Sequence, residues 1–208
     1  MRGFMDVNID IIIGFWFGEI DQELSAAKKN QLWYQSTAQD DATITRQFEH
    51  LYEQALQGLL VSWLESAEGT MALIILLDQM PRNMYRGTDK AFKSDHLALQ
   101  YCLLGLENGD DKQLSLVERS FFYHPLEHAE DLNMQQRCVA EFQRLQQEYQ
   151  TEKQQQFIRN SLEFAKLHLD IIEQFGRFPY RNQVLGRVST AEEVEFIKKG
   201  VNFGQMSN

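Results

Sequence analysis

"QQFIRNSLEFAKLHLDIIEQFG", residues 155–176, repeats its apolar side chains at intervals of three and four, and that spacing decides the fold class. Ile158, Leu162, Ala165, Leu169 and Ile172 form one stripe along a helix, with Phe164, His168, Ile171 and Phe175 in a second stripe beside it. Arg159, Glu163, Lys166, Asp170 and Glu173 fall on the opposite, wet face. So wide an apolar face predicts packing against more than one neighbour, as in layered antiparallel helix pairs and unlike a simple coiled coil. The same rhythm recurs in Ile44, Phe48, Leu51 and Ala55, and again in Cys138, Phe142, Leu145 and Tyr149. Only three prolines interrupt 208 residues, no strand-like alternation persists beyond a few residues, and no linker divides the chain. Residues 1–208 therefore read as a single all-α domain.

Helix boundaries are marked as this architecture requires. Thr88 before "DKAF", Ser115 before "LVER" and Ser189 or Thr190 before "AEEVEF" read as N-caps, the last two segments with glutamate at the capping-box position. Gly87, Gly109 and Gly176 supply the stops. The glutamine-rich "QQEYQTEKQQQ", residues 146–156, reads as a solvated helix-turn-helix junction.

A hydrophobic content of 43% suffices to bury a sizeable core. The 30 acidic against 20 basic residues, net charge −10, argue against nucleic acid, which needs a broad positive field; a local cationic pocket remains compatible. No glycine-rich phosphate loop appears, so neither a nucleotide nor another cofactor is expected. Cys102 and Cys138 are too few for a disulfide framework and read as buried thiols. The apolar "DIIIGFWFGE", residues 10–19, contains Asp10 and is too short to span a bilayer, so it reads as a core helix of a cytoplasmic protein with no membrane partner.

Each proline lies in a polar cluster: "DQMPRNMYRG" (78–87), "YHPLEHAED" (123–131) and "FGRFPYRNQVLGR" (175–187). The first and third echo each other, placing proline, arginine, asparagine, glycine and a second arginine after an apolar helix. Pro81 is expected to end its helix, with Arg82, Asn83 and Arg86 turning inward towards residues 177–187. Cations near a helix C-terminus favour the macrodipole by about 0.3–1 kcal/mol, yet lysine would serve equally and none is present. Arg82, Arg86, Arg177, Arg181 and Arg187 instead imply planar, bidentate pairing, either with carboxylates of the chain or with an anionic ligand. Asp78, Glu127, Glu130 and Asp131 are the internal candidates, and both possibilities stay open.

"HPLEH", residues 124–128, matches a zinc-protease pattern in which two histidines one turn apart hold the metal. Pro125 should push His124 out of helical geometry and keep the two imidazoles off a common face, so no metal is expected. His128, flanked by Glu127 and Glu130, is the acid/base candidate, with Glu130 as its carboxylate partner. His168 faces the apolar side of its helix two turns before "GRFPYRN"; it reads as a core histidine able to face the same cleft. His50 and His96 read as ordinary surface or packing residues.

Together "FWFGE" (15–19), "IILLDQMPRNMYRGTDKAF" (74–92), "PLEHAED" (125–131) and "FGRFPYRNQVLGRVSTAEE" (175–193) resemble the signature blocks of the domain-of-unknown-function 924 family over nearly the whole chain. The resemblance implies a compact tetratricopeptide-like superhelix and no established activity. It carries recurring polar positions onto Asp78, Gln79, Arg82, Asn83, Arg86, His128, Glu130, Arg177, Arg181, Asn182 and Arg187. Ala129 stands where the family usually has serine, Tyr180 where histidine is common and His124 where an apolar residue is usual, so no mechanism is built on a hydroxyl or imidazole there.

Two functional expectations follow. In the first, Asp78, Gln79, Arg82, Asn83, Arg86, His168, Arg177, Arg181, Asn182 and Arg187 line an inter-helix site for a small anionic molecule, and His128 with Glu130 transfers a proton. In the second, the fold is an interaction module for a peptide or protein, and the polar clusters are structural keystones.

Overall fold

The computed structural model describes residues 6–200, so the two ends of the expected 1–208 domain lie outside the described residues. The described chain is helical apart from one two-stranded hairpin. Helix α1 (Val7–Phe17) is followed by the hairpin β1 (Ile20–Asp21) and β2 (Leu24–Ser25), antiparallel with Ile20 opposite Ser25. Then come α2 (Lys29–Tyr34), α3 (Ala38–Leu56), α4 (Ala67–Ile74) and α5 (Met80–Met84). Helices α6 (Asp95–Asn108), α7 (Leu116–Phe122), α8 (His124–His128), α9 (Leu132–Glu148), α10 (Glu152–Phe175) and α11 (Ala191–Lys198) complete the order. The fold class is all-α, as the spacing predicted.

The stripes of α3 and α9 are buried as read: Ile44, Phe48, Leu51 and Ala55 on one, Cys138, Phe142 and Leu145 on the other. In α10 the first stripe is largely buried, but the second departs from expectation. His168 and Ile171 face the interior while Phe164 is 52% exposed, so only the C-terminal half of that stripe meets a neighbour. Helices α9 and α10 pack as a pair joined at 149–151. Gln155 closes the junction by donating to the Tyr149 and Gln146 carbonyls at 2.5 and 2.8 Å. Helix α1 is a core helix, burying Ile9, Ile12, Trp16 and Phe17, the last two edge-on to Phe121. Both cysteines are free and buried, and burial pushes both thiols up. Among the described residues no helix is long and apolar enough to cross a membrane.

The hairpin turn holds Gln22 and Glu23 at φ 48° and 75°, a region side chains rarely adopt. The arrangement serves α7: the Glu23 carbonyl accepts from Val117 N at 3.0 Å and its carboxylate from Leu116 N at 2.9 Å, satisfying two donors of the first turn.

Met71–Leu77 is buried on every side, the mark of a central helix. Pro81 does not end it. After α4 the helix widens into one π-turn, Ile75–Gln79, where Met80 N donates to the carbonyl five residues back, and α5 continues with Pro81 in its first turn. Proline lacks the N–H that an α-helix would direct at Leu77 O, and its ring would crowd that carbonyl. The structure supplies a replacement donor, Ser94 Oγ at 2.6 Å. The neighbouring Asp78 carbonyl accepts from Arg82 Nη1.

One cap differs from the reading, and of the two candidates at the last helix one is chosen. Thr88 precedes a 3-10 turn, Asp89–Phe92, and its hydroxyl donates to Tyr85 O instead of capping. At the last helix Thr190 is the cap, closing a box with Glu193, and Ser189 accepts from Asn182. Ser115 and Glu118 pair as expected.

Candidate functional site

The π-turn brings Asp78, fully buried, against α8. Its carboxylate accepts from His128 Nδ1 at 2.8 and 2.9 Å and from Gln79 Nε2 at 2.5 Å, and it lies 3.4 Å from Arg82 Nη1. Gln79 directs its other amide proton to His124 Nδ1 at 3.0 Å. Here the expectation for Pro125 fails. His124 is the first residue of α8, Tyr123 before it is αR, and the two imidazoles sit 5.7 Å apart. Proline tolerates the first helical turn, where its missing N–H would be unsatisfied anyway. Among the described residues no group of three metal-binding side chains forms.

Arg82 makes a bidentate pair with Asp95, at 2.9 and 3.0 Å. Asp95 opens α6 and also faces Arg181, whose Nη1 lies 3.5 Å away. The Arg181 guanidinium is held between the rings of Phe178 and Phe92, at 4.4 and 4.7 Å from their centroids, with Tyr180 at 5.7 Å. Its Nε is buried without an acceptor among the described residues. His168 completes the cluster: Nδ1 donates to Phe164 O at 2.9 Å, with the Glu127 carboxyl 3.5 Å away, and the ring lies 6.2 Å from that of His128.

Burial sets the protonation states. Desolvation, with the Arg82 cation next in weight, holds the His128 imidazole well below its ordinary value. Burial likewise lowers His168 to about 4 and, with His128 beside it, His124 to about 3. Burial and the Asp78 charge push Glu127 up to about 8, an effect that Arg82 partly offsets. At neutral pH the histidines are therefore neutral and Glu127 is mostly protonated. Asp78 is surrounded by donors, so His128 must carry its proton on Nδ1, which leaves the Nε2 lone pair on the other edge of the ring.

His128 is also among the residues that line an open groove of about 520 Å³. One wall comes from Asp89–Leu99, the other from Pro125–Asp131, with Arg181 and Leu185 closing the end. His128, Asp95, Glu130 and Arg181 all line it. A second hollow, of about 410 Å³, lies beside Phe15, Lys29 and Thr43 and holds none of the expected residues.

The structure thus joins Asp78, Gln79, Arg82, His128, His168 and Arg181. It sends the other expected residues elsewhere. Asn83 and Arg86 turn away from residues 177–187: Asn83 donates to Ser36 and Asp41 at 2.9 and 2.8 Å, and Arg86 grips Asp41 bidentately at 2.9 and 3.0 Å. Arg177 pairs bidentately with Glu193, at 2.7 and 2.9 Å, and Asn182 donates to the same carboxylate at 3.3 Å. Arg187 pairs with Glu130, at 2.6 and 3.0 Å. Glu130 also accepts from Phe178 N at 2.8 Å. Burial pushes its carboxyl up, but Arg187 and Phe178 N outweigh that and hold it below its ordinary value. Glu130 is thus bonded into the 177–187 corner, and the carboxylate hydrogen-bonded to His128 is Asp78. Asp131 caps α9 through Met134 N at 3.0 Å and, among the described residues, pairs with no arginine.

Asp95 is the central residue that the sequence reading missed. In "KSDHL" it looks like any acidic residue in a first helical turn, and nothing local announces that two arginines converge on it. Asp41, Ser36 and Phe92 were missed for the same reason.

With the geometry in place, comparison with known proteins gives two matches. A family model described as a bacterial protein of unknown function (DUF924) matches residues 12–201. A solved structure, a protein of unknown function from Agrobacterium tumefaciens, is 34% identical; the alignment covers 93% of this chain and 98% of that one, with a TM-score of 0.77. The search of curated proteins gave no match.

Proposed function

The chain belongs to the DUF924 family of bacterial proteins of unknown function, and on that footing we propose that its groove binds a small anionic molecule on which His128 acts as a general base. The observation that carries this reading is the Asp78–His128 pair at 2.8 Å, with His128 and Arg181 lining the same groove. A neutral imidazole whose Nδ1–H is held by a buried carboxylate can accept a proton at Nε2, and the carboxylate then stabilises the imidazolium. Arg181, the one expected arginine on the groove whose charge is not taken by a bidentate partner, supplies the anion's counter-charge. Gln79 and Arg82 position Asp78, and His168 packs behind. A volume near 520 Å³ suits a metabolite-sized ligand better than a peptide. The same proposal takes the chain as one cytoplasmic domain with tetratricopeptide-like stacking, supported by the antiparallel α9–α10 pair and by an apolar cluster running from Ile9 to Ala165.

The test is a thermal-shift screen of wild type, Arg181→Gln and His128→Asn against small anions, their neutral analogues, divalent metals and a peptide pool. Anions should raise the wild-type melting temperature, by the equivalent of about 2.7 kcal/mol at a hundredfold excess over Kd. The rise should vanish in Arg181→Gln and persist in His128→Asn. A response to peptides alone, or one indifferent to Arg181, would overturn the proposal.

A further inference from the structure

The N-terminus of α6 forms part of the groove wall, through Asp95 and His96, and it is uncapped for a reason written in the fold. Ser94 stands at the N-cap but makes no cap bond, because its hydroxyl is committed to Leu77 O, the carbonyl orphaned by Pro81. The first amides bonded at this end belong to Leu97 and Ala98, both to Ser94 O. Those of Asp95 and His96 have no acceptor among the described residues. A 14-residue helix thus presents two open N–H groups and the positive end of its dipole, while the Asp95 side chain is turned onto Arg82.

Arg181 makes an independent observation at the same place. It is 4% exposed, lines this groove, and has an unsatisfied Nε. Its guanidinium lies over the rings of Phe178 and Phe92, and a planar anion matches the edge of a guanidinium.

The remaining charges limit the valence. Of the acidic side chains on the groove, Asp95 and Glu130 are matched by Arg82 and Arg187. Asp89 and Asp131 remain against Lys93 and Arg181, while Arg82 is shared with Asp78 and Arg181 also faces Asp95, so the lining has no positive charge to spare for a dianion. A dianion would meet both acids in a chain of net charge −10; a monoanion meets the least repulsion. Phe92, Leu99, Pro125 and Leu185 supply an apolar track along the same groove.

We infer that the ligand is a small amphiphilic monocarboxylic acid, its carboxylate on the Asp95 and His96 amides and Arg181, its apolar body along Phe92, Leu99, Pro125 and Leu185. This inference rests on reading the groove as a site for small anions and names the anion. The experiment titrates ¹⁵N-labelled full-length protein at pH 7 with hexanoate, inorganic phosphate or neutral hexanamide, following backbone amides. Hexanoate should shift the Asp95 and His96 amides saturably and downfield. Phosphate and hexanamide should bind at least tenfold more weakly. Arg181→Gln should abolish the hexanoate response, and Lys93→Gln, at an exposed position, should weaken it about two- to fivefold. Phosphate shifting these two amides where hexanoate does not would overturn the carboxylate assignment and leave the anion groove standing. Hexanamide binding as well as hexanoate, or Lys93→Gln binding hexanoate unchanged, would also overturn it. Silence of the groove amides towards both anions would remove the anion groove itself.

Discussion

Replacing Glu127 by glutamine isolates a buried group whose titration makes the protein less stable as pH rises through neutrality. Glu127 is 6% exposed, and burial with the Asp78 charge raises it to about 8, against an ordinary value near 4.5. Between those values the native state holds a proton that the unfolded chain has released. The stability it contributes is full below pH 4.5 and is lost as pH climbs through 8, roughly 5 kcal/mol over the whole span. The buried histidines act in the opposite sense. Their native values are depressed, to about 4 for His168 and about 3 for His124, so below pH 6.5 the unfolded chain binds protons that the native state refuses. Their stability is present above pH 6.5 and falls away below it. Wild type should therefore be most stable near pH 6.5 and lose about 1.5–2 kcal/mol by pH 8, on the account of Glu127 alone. At this chain length that is a fall in Tm of about 3–8 °C. Glutamine keeps the shape without the titration, so Glu127→Gln should hold a nearly level Tm from pH 6.5 to 8 while keeping the acid-side decline. Calorimetry at half-unit pH steps measures both. Parallel wild-type and variant curves above pH 6.5 would refute the reasoning.

Arg82→Met removes the cation that Asp78 and Asp95 share and leaves the buried Asp78 carboxylate with only its bonds to His128 and Gln79, which should cost about 3–5 kcal/mol by urea unfolding; a cost under about 1 kcal/mol would deny Arg82 a structural role. Ser94→Ala leaves the buried Leu77 carbonyl without its donor, and the same assay should register a loss of about 1–3 kcal/mol; no loss would mean that Pro81 needs no such compensation.

Most of the fold was legible because helical spacing is a local property. The stripes of α3, α9 and α10, the burial of "DIIIGFWF" and the glycine stop after α10 all follow from side chains three or four residues apart. The failures came where distant partners override a local rule. Proline normally ends a helix, yet Pro81 is carried through a π-turn because Ser94, 13 residues on, replaces the lost donor. Arginine without lysine correctly announced planar pairing, and four of the five arginines pair bidentately. Which carboxylate each one takes was not legible: Asp41, Asp95, Glu130 and Glu193 lie up to 57 residues away, and only Glu130 was on the expected roster. His128 was singled out on its flanking glutamates, but its partner proved to be Asp78, brought 50 residues across the fold.

The proposed chemistry requires His128 to be a neutral imidazole with its proton on Nδ1 and a free lone pair on Nε2. Two-bond ¹⁵N–¹H spectra of the His128 ring at pH 7 measure this directly. Nδ1 should be protonated and Nε2 bare, unchanged down to pH 6 because burial holds the group below its ordinary value. An imidazolium protonated on both nitrogens, or a proton on Nε2 with Nδ1 bare, would contradict it.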